Sequence, residues 1–302
     1  MEDIRIMTEE EKKAANRKRR RQDVKQFFRV LMGRGFLSKI CLVLLVFFII
    51  VAIFCPLLAP CDPYEQTPSL ALQGPSLAHP FGLDNLGRDL LSRTMYGARI
   101  STMTGILSSL WAALIGVTLG LIAGYFEGIV GTVIMRLMDA MLSIPPIILS
   151  MCLAAVFGGS ILSVSIIIGI SAVPGYVRMI YGQVLSLREN DYITASRLVG
   201  QSQFMIMFKH LLPNCFATII VMFSSSVGVN VMVEAGLAYL GVGITAPTPA
   251  WGTMISEGYN YIMFKPALAL IPGIALMLMI ISLNVVGDGL RDALDPRLRG
   301  KL

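Results

Sequence analysis

Six long apolar runs constrain this 302-residue chain more than any other feature, because each is long enough to cross hydrocarbon as a helix. They lie at about Ile40–Leu58, Ser101–Tyr125, Thr132–Val156, Ile161–Leu185, Ala217–Val242 and Ala267–Val286. Hydrocarbon offers no water to the backbone, so each run must close its own N–H···O=C bonds. The runs are continuous rather than alternating, which selects helices and excludes a closed barrel. Pro145-Pro146 predicts a kink in the third run, and Pro174 sits inside the fourth. The expectation is an all-α polytopic membrane protein with six transmembrane helices. Composition agrees: charged residues make up 15% and mean hydropathy is +0.71, whereas a soluble domain carries about 25% charged residues.

These runs divide the chain into a basic N-terminal segment (1–39), a first span (40–58) and a long loop (59–100). A five-helix core (101–288) contains a polar loop at 186–214, and a tail (289–302) follows. Of the 25 Lys and Arg residues, only Arg88, Arg93, Arg99 and Lys265 fall in the segments that alternate to one side. The positive-inside rule therefore puts both termini and the 186–214 loop in the cytoplasm. Lys12, Lys13, Arg17 and the run Lys18-Arg19-Arg20-Arg21 read as a cytoplasmic anchor facing anionic lipid. A nucleic-acid arm or a cleaved signal fits less well, since the apolar run that follows is too long for a signal and lacks a small-x-small site.

Little in the chain suggests bond-making chemistry. Cys41, Cys55, Cys61, Cys152 and Cys215 are scattered, and His79 and His210 are too far apart to suggest a metal ligand set. No GxxxxGK[ST] loop occurs, so no P-loop nucleotide site is expected. Acids in or beside spans are functional candidates by default. Asp139 follows Arg136 by three residues and is expected to pair with it, and Asp288 lies at the end of the last span beside Arg291. Glu234 lies deepest and is a candidate pathway or gate residue as much as a structural one. Gly116, Gly120, Gly124 and Gly128 recur every four residues, a stripe that predicts close helix packing within the subunit or across a dimer seam.

The stretch Asp191–Asn214, DYITASRLVGQSQFMIMFKHLLPN, is the long polar–apolar segment of the second half. Asp191–Val199 forms a short helix by pattern, with Tyr192, Ala195 and Val199 on one face. Gly200 supplies a turn tolerant of positive φ. Gln201–Leu212 makes a second helix that ends at Pro213. A helix, a turn and a helix between two spans form a compact knob for a partner, with small residues at its tip.

The order Thr194-Ala195-Ser196, Gly200, Leu212-Pro213 resembles the "EAA" loop of inner-membrane ABC importer permeases, with Thr194 in place of Glu and Ser196 in place of the second Ala. HPFGLDNLGRDLLSRTMYGAR, starting at His79, is similar to the HPxGTDxxGRDxxSRxxYGAR string of the dipeptide/oligopeptide/nickel branch, with Leu83 in place of Thr. EAGLAYLGVGITAPTPAWG and NVVGDGLRDALDPRL resemble the same branch's EAxLSFLGLGxxPPxPSWG and NxxGDxLRDxLDPRL. The resemblance runs from about Phe27 onward. It implies a type I ABC importer permease fold in a bacterial or archaeal plasma membrane. The implied partners are a homologous second permease, two cytoplasmic ATPases that bind ATP and Mg, and an extracytoplasmic binding protein, with no nucleic acid. It also implies an ATPase-coupling loop at Asp191, Tyr192, Thr194, Ala195, Ser196, Arg197, Gly200, His210, Leu212 and Pro213, and short peptides as cargo, with nickel chelates or other small solutes as alternatives. No cofactor is expected on this chain. A competing class, an ion-gradient-driven transporter, needs midplane carboxylates, for which Glu234 is the one candidate. A scaffold without transport is the third reading.

Overall fold

A computed structural model describes residues 35–126 and 128–294. The basic run Lys12–Arg21 and the Asp295-Pro296-Arg297-Leu298 ending lie outside the described residues. Among those described the fold is all-α: α1 (Phe36–Leu58), α2 (Leu90–Tyr125), α3 (Ile129–Leu142), α4 (Pro146–Phe157), α5 (Ile161–Arg188), α6 (Asp191–Leu198), α7 (Gln203–Tyr239), α8 (Trp251–Tyr259) and α9 (Ala267–Leu294). Among the described residues five helices (α1, α2, α5, α7 and α9) are long and apolar enough to cross a membrane, and the bent pair α3 with α4 brings the number to six if it is one span.

The third crossing is not one kinked helix. Its halves meet at 89°. Pro145 takes an extended backbone, and Pro146 occupies the first turn of α4, where a missing N–H costs no helical bond. Two successive prolines thus stop one helix and start another.

The second crossing begins at Leu90, well before Ser101. Asp89 caps it by accepting a hydrogen bond from Ser92 N at 2.7 Å. The resulting 36-residue α2 is about 54 Å long at 1.5 Å per residue, more than hydrocarbon requires. Its first turns therefore rise above the hydrophobic band and carry the loop-facing charges.

The most extensive helix interface is α2 on α5. Gly116, Gly120 and Gly124 lie against Tyr176, Ile180 and Val184. A methyl on Gly120 would stand 2.8 Å from Ile180 Cβ and 3.0 Å from Val177 O, well inside contact distance. The stripe is thus used within the subunit, not at a dimer seam. Gly128 is outside it: with φ 72° it precedes α3 and faces open space. Serine and asparagine side chains join α2 to α7 next to this seam. Asn230 Nδ2 donates to Ser109 Oγ at 2.9 Å, and Ser226, 3.0 Å from Ser109, also meets Tyr176 Oη of α5 at 2.7 Å.

At the opposite end from the α6 turn, the 59–89 loop closes over the helix heads around buried charges. Arg88 Nε donates to Asp84 Oδ2 at 2.6 Å and Arg88 Nη2 to Glu257 Oε2 of α8 at 2.9 Å. Arg93 Nε lies 3.4 Å from the same Asp84 oxygen. Asp89 does not pair with Arg93, four residues further on; it serves as helix cap and meets His79 Nδ1 at 3.0 Å. Trp251 is fully buried, not interfacial: its Nε1 donates to Thr94 O at 2.9 Å, and its ring meets Phe48 of α1 edge-on at 5.8 Å.

Gly120→Leu should therefore separate α2 from α5, whereas Gly182→Leu, where a Cβ meets nothing, should be tolerated. Thermal unfolding in detergent checks this: a loss of folded protein confined to the Gly120 variant is expected, on the scale of overpacked cores, about 1–3 kcal/mol or more.

Candidate functional site

The 186–214 loop folds at the end of the bundle where α2 finishes. Ile193 of α6 is fully buried and packs with Leu121, Ile180, Val184, Ile206, Met207, Leu211 and Cys215. One side chain thereby fixes α6 to α2, α5 and α7. The anchoring face is not the predicted one. Tyr192, Ala195 and Val199 point outward, because the apolar pattern of so short a helix serves two surfaces.

Gly200 behaves as its sequence position requires. Its φ is 79°, its N–H donates to Arg197 O at 3.0 Å, and Gln201 N donates to Ser196 O at 3.1 Å. Those two bonds form a Schellman close, and the positive φ would strain any side chain there. Ser202 then caps α7 by accepting from Met205 N at 3.3 Å.

The second helix of the loop is not separate from the span that follows. α7 runs unbroken for 37 residues from Gln203 to Tyr239. Ile206–Leu211 winds as a π-helix immediately before Leu212-Pro213. A wide turn there relieves the clash that a mid-helix proline ring makes with the preceding turn, and Pro213 has no N–H to leave unbonded. Leu212 is half-buried and Pro213 exposed on this continuous helix.

The remaining expected residues are clustered around this turn. Arg197 lies over the Tyr125 ring at the end of α2, 5.1 Å from its centroid. His210 Nε2 meets Gln201 Oε1 at 2.9 Å, and Asn214 Nδ2 donates to His210 O at 2.7 Å. Ser196 Oγ donates back to Tyr192 O at 2.8 Å. Asp191, Thr194 and Ala195 are exposed. Sequence reasoning missed the apolar crown beside them: Leu198 and Val199 are each 83% exposed and Phe204 is 70% exposed. The signal was present in two aliphatic residues directly before a turn glycine. Three large apolar side chains thus stand free together on a polar loop.

Two other expected sites are rearranged. Asp139 does not pair with Arg136; Arg178 of α5 takes it, with Nη2 2.5 Å from Oδ1. Helix geometry explains the change, since Arg136 and Asp139 line one open hollow of about 540 Å³ with Met135 and Tyr181, while α5 brings Arg178 directly to the carboxylate. Nor is a pair formed between Asp288 and Arg291 among the described residues. Glu234 of α7 is wholly enclosed. Its Oε2 accepts from Ser101 Oγ at 3.1 Å, and its Oε1 has no partner among the described residues. It ties α7 to α2 and lines no open passage in this arrangement. The loop also gathers Cys61, His79 and Asp89, with ligand-type atoms all within 4.8 Å of one another, although their spacing along the chain suggested no ligand set.

Ile193→Ala should remove the anchor of α6 and cost about 2–5 kcal/mol, the range for buried Ile→Ala. Leu198→Ser, on the free surface, should leave the melting temperature unchanged. Equal losses in thermal unfolding would contradict the two-sided reading of α6.

The profile of the family described as binding-protein-dependent transport system inner membrane component matches residues 116–300. That of the N-terminal transmembrane domain of oligopeptide transport permease C matches residues 37–75. A dipeptide transport system permease protein of Alkalihalophilus pseudofirmus is 41% identical over 87% of this chain and 86% of its own length. A di/tripeptide transport system permease protein of Pseudomonas aeruginosa is 40% identical over 88% and 89%. A glutathione transport system permease protein of Pectobacterium atrosepticum is 40% identical over 75% of each chain. With a matched core spanning more than half of its length and relatives about 40% identical over 75–88% of it, this chain belongs to the inner membrane components of binding-protein-dependent transport systems, as a membrane permease and not an enzyme.

Proposed function

We propose that the chain is one of two homologous permease subunits of an ATP-driven importer for short peptides. An extracytoplasmic protein delivers the peptide, and two cytoplasmic ATPases, which hold ATP and Mg, drive the cycle. Both termini and the α6 turn face the cytoplasm. Relatives named for dipeptides, di- and tripeptides and glutathione support a short-peptide cargo.

The observation that carries this reading is the free apolar crown of Leu198, Val199 and Phe204 on a turn continuous with α7. A partner seated there moves α7 directly, since no loop intervenes to absorb the push. It moves α5 through Ile193, which joins the same cluster. ATPase closure thus tilts α5 and α7 together and alternates access to the pathway. An ion-driven carrier would instead need a deep, accessible carboxylate without an ionic partner, whereas Glu234 is sealed against Ser101 and Asp139 is paired with Arg178.

The pathway wall in this reading includes Arg178 and Asp139. Their side chains are 52% and 42% exposed on helices at membrane depth, and charges there face a bundle interior or water rather than lipid. They border the hollow beside Met135.

Gly200→Trp should leave membrane insertion and ATP hydrolysis by the assembled complex in place while lowering peptide uptake about tenfold or more, a coupling loss of about 1.4 kcal/mol. Leu198→Asp should reduce recovery of P-loop ATPases with the tagged chain. Normal uptake in the first variant with full ATPase recovery in the second would sink the docking assignment. For the pathway, Met135→Cys should react with a charged, water-soluble thiol reagent, and saturating peptide should slow that reaction. A cysteine there that stays unreactive removes the hollow from the route.

A further inference from the structure

Cys61, His79 and Asp89 form a cluster that the transport reading does not use. They come from three places brought together by the loop: just past the end of α1, the middle of the loop, and the cap of α2. The thiol sulfur, an imidazole nitrogen and a carboxylate oxygen all fall within 4.8 Å of one another. Asp89 is buried, while Cys61 and His79 are half-buried, so one side of the group is open.

The surroundings already hold these side chains in place. Asp89 Oδ2 is taken by Ser92 N, leaving Oδ1 toward His79. Ser92 Oγ in turn accepts from Cys61 N at 3.1 Å. One serine therefore orients two members of the cluster, the kind of outer support that fixes metal ligands. The local charge also favours a cation. Asp89 brings a carboxylate into the group, while the guanidiniums of Arg88 and Arg93 in the same part of the chain are engaged by Asp84 and Glu257.

We propose that Cys61, His79 and Asp89 bind one borderline divalent transition-metal ion of the Zn²⁺ class, with water in the remaining position. One sulfur, one nitrogen and one oxygen donor suit such an ion, whereas Mg²⁺ and Ca²⁺ prefer oxygen alone. Bond lengths of about 2.0–2.3 Å require the three donors to draw inward modestly from their present spacing. Bound there, the ion would join the end of α1, the loop and the head of α2, and the proposal stands whether or not the cargo is a peptide.

The test uses the full chain, purified in detergent with its bound partners, reduced and stripped by a chelator. Co²⁺ is the probe, because a thiolate ligand gives it a near-ultraviolet charge-transfer band. One equivalent should develop the band and Zn²⁺ should displace it; Cys61→Ser should abolish it, and His79→Gln should weaken Co²⁺ binding at least about tenfold, as loss of a metal-site group does. Absence of the band in the natural chain, or its persistence in Cys61→Ser, overturns the proposal. Should Cys61→Ser fail to fold, the natural chain decides: Zn²⁺ must protect Cys61 from maleimide, read on its peptide by mass spectrometry, and unprotected labelling overturns the site.

Discussion

The close approach of α2 to α5 is the contact on which the other placements depend. Gly116, Gly120 and Gly124 remove the side chains that would hold the two backbones apart, and lipid tails provide no hydrophobic drive to compensate for a looser fit. Once α2 and α5 are in register, both ends of α2 are tied down. Arg188 of α5 donates to Gly124 O at 3.3 Å, and Arg197 covers Tyr125. At the other end, Asp89 caps the helix and Arg88 and Arg93 bind Asp84 and Glu257. A helix held at its middle by packing and at its ends by polar contacts acts as a mast for the others.

That mast also gives the α6 turn a fixed support. An eight-residue helix in water is marginal on its own. Here Ile193 inserts into a cluster built from the feet of α2, α5 and α7, and Gly200 closes the helix with two backbone bonds. The exposed face is therefore presented by a fixed support, and its apolar residues remain free without destabilising the fold.

Much of this was legible in the sequence where the cause is local. The span count follows from run length, the Gly200 turn from its need for positive φ, and the small-residue stripe from a four-residue period. The misreadings share a different origin. Arg136 and Asp139 are near neighbours in the chain, yet Arg178 takes the carboxylate because tertiary placement overrides sequence proximity. Ile193 carries no sequence signal because a single buried residue on a short helix leaves no period. The prolines before Trp251 resemble a surface turn, whereas Phe48 and Thr94, distant in sequence, enclose it. Cys61, His79 and Asp89 show no metal-ligand spacing along the chain, because a folded loop brings them together.

The distribution of charge then distinguishes two parts of the bundle. Four charges at the loop end (Asp84, Arg88, Arg93 and Glu257) balance to zero and connect residues far apart in sequence. An apolar cluster of similar volume would often be as stable, so their role is better understood as fixing one arrangement of loop, α2 and α8. Breaking one member would strand its partners without water, which makes sliding or partial opening of that end costly. The α3–α4 pair has no such clamp. It is bent by 89°, packs chiefly on α2, α5 and α7, and among the described residues its ion pair, Asp139 with Arg178, lies on a half-exposed surface. Motion is therefore less costly at α3–α4, where Asp139 meets Arg178, than at the loop.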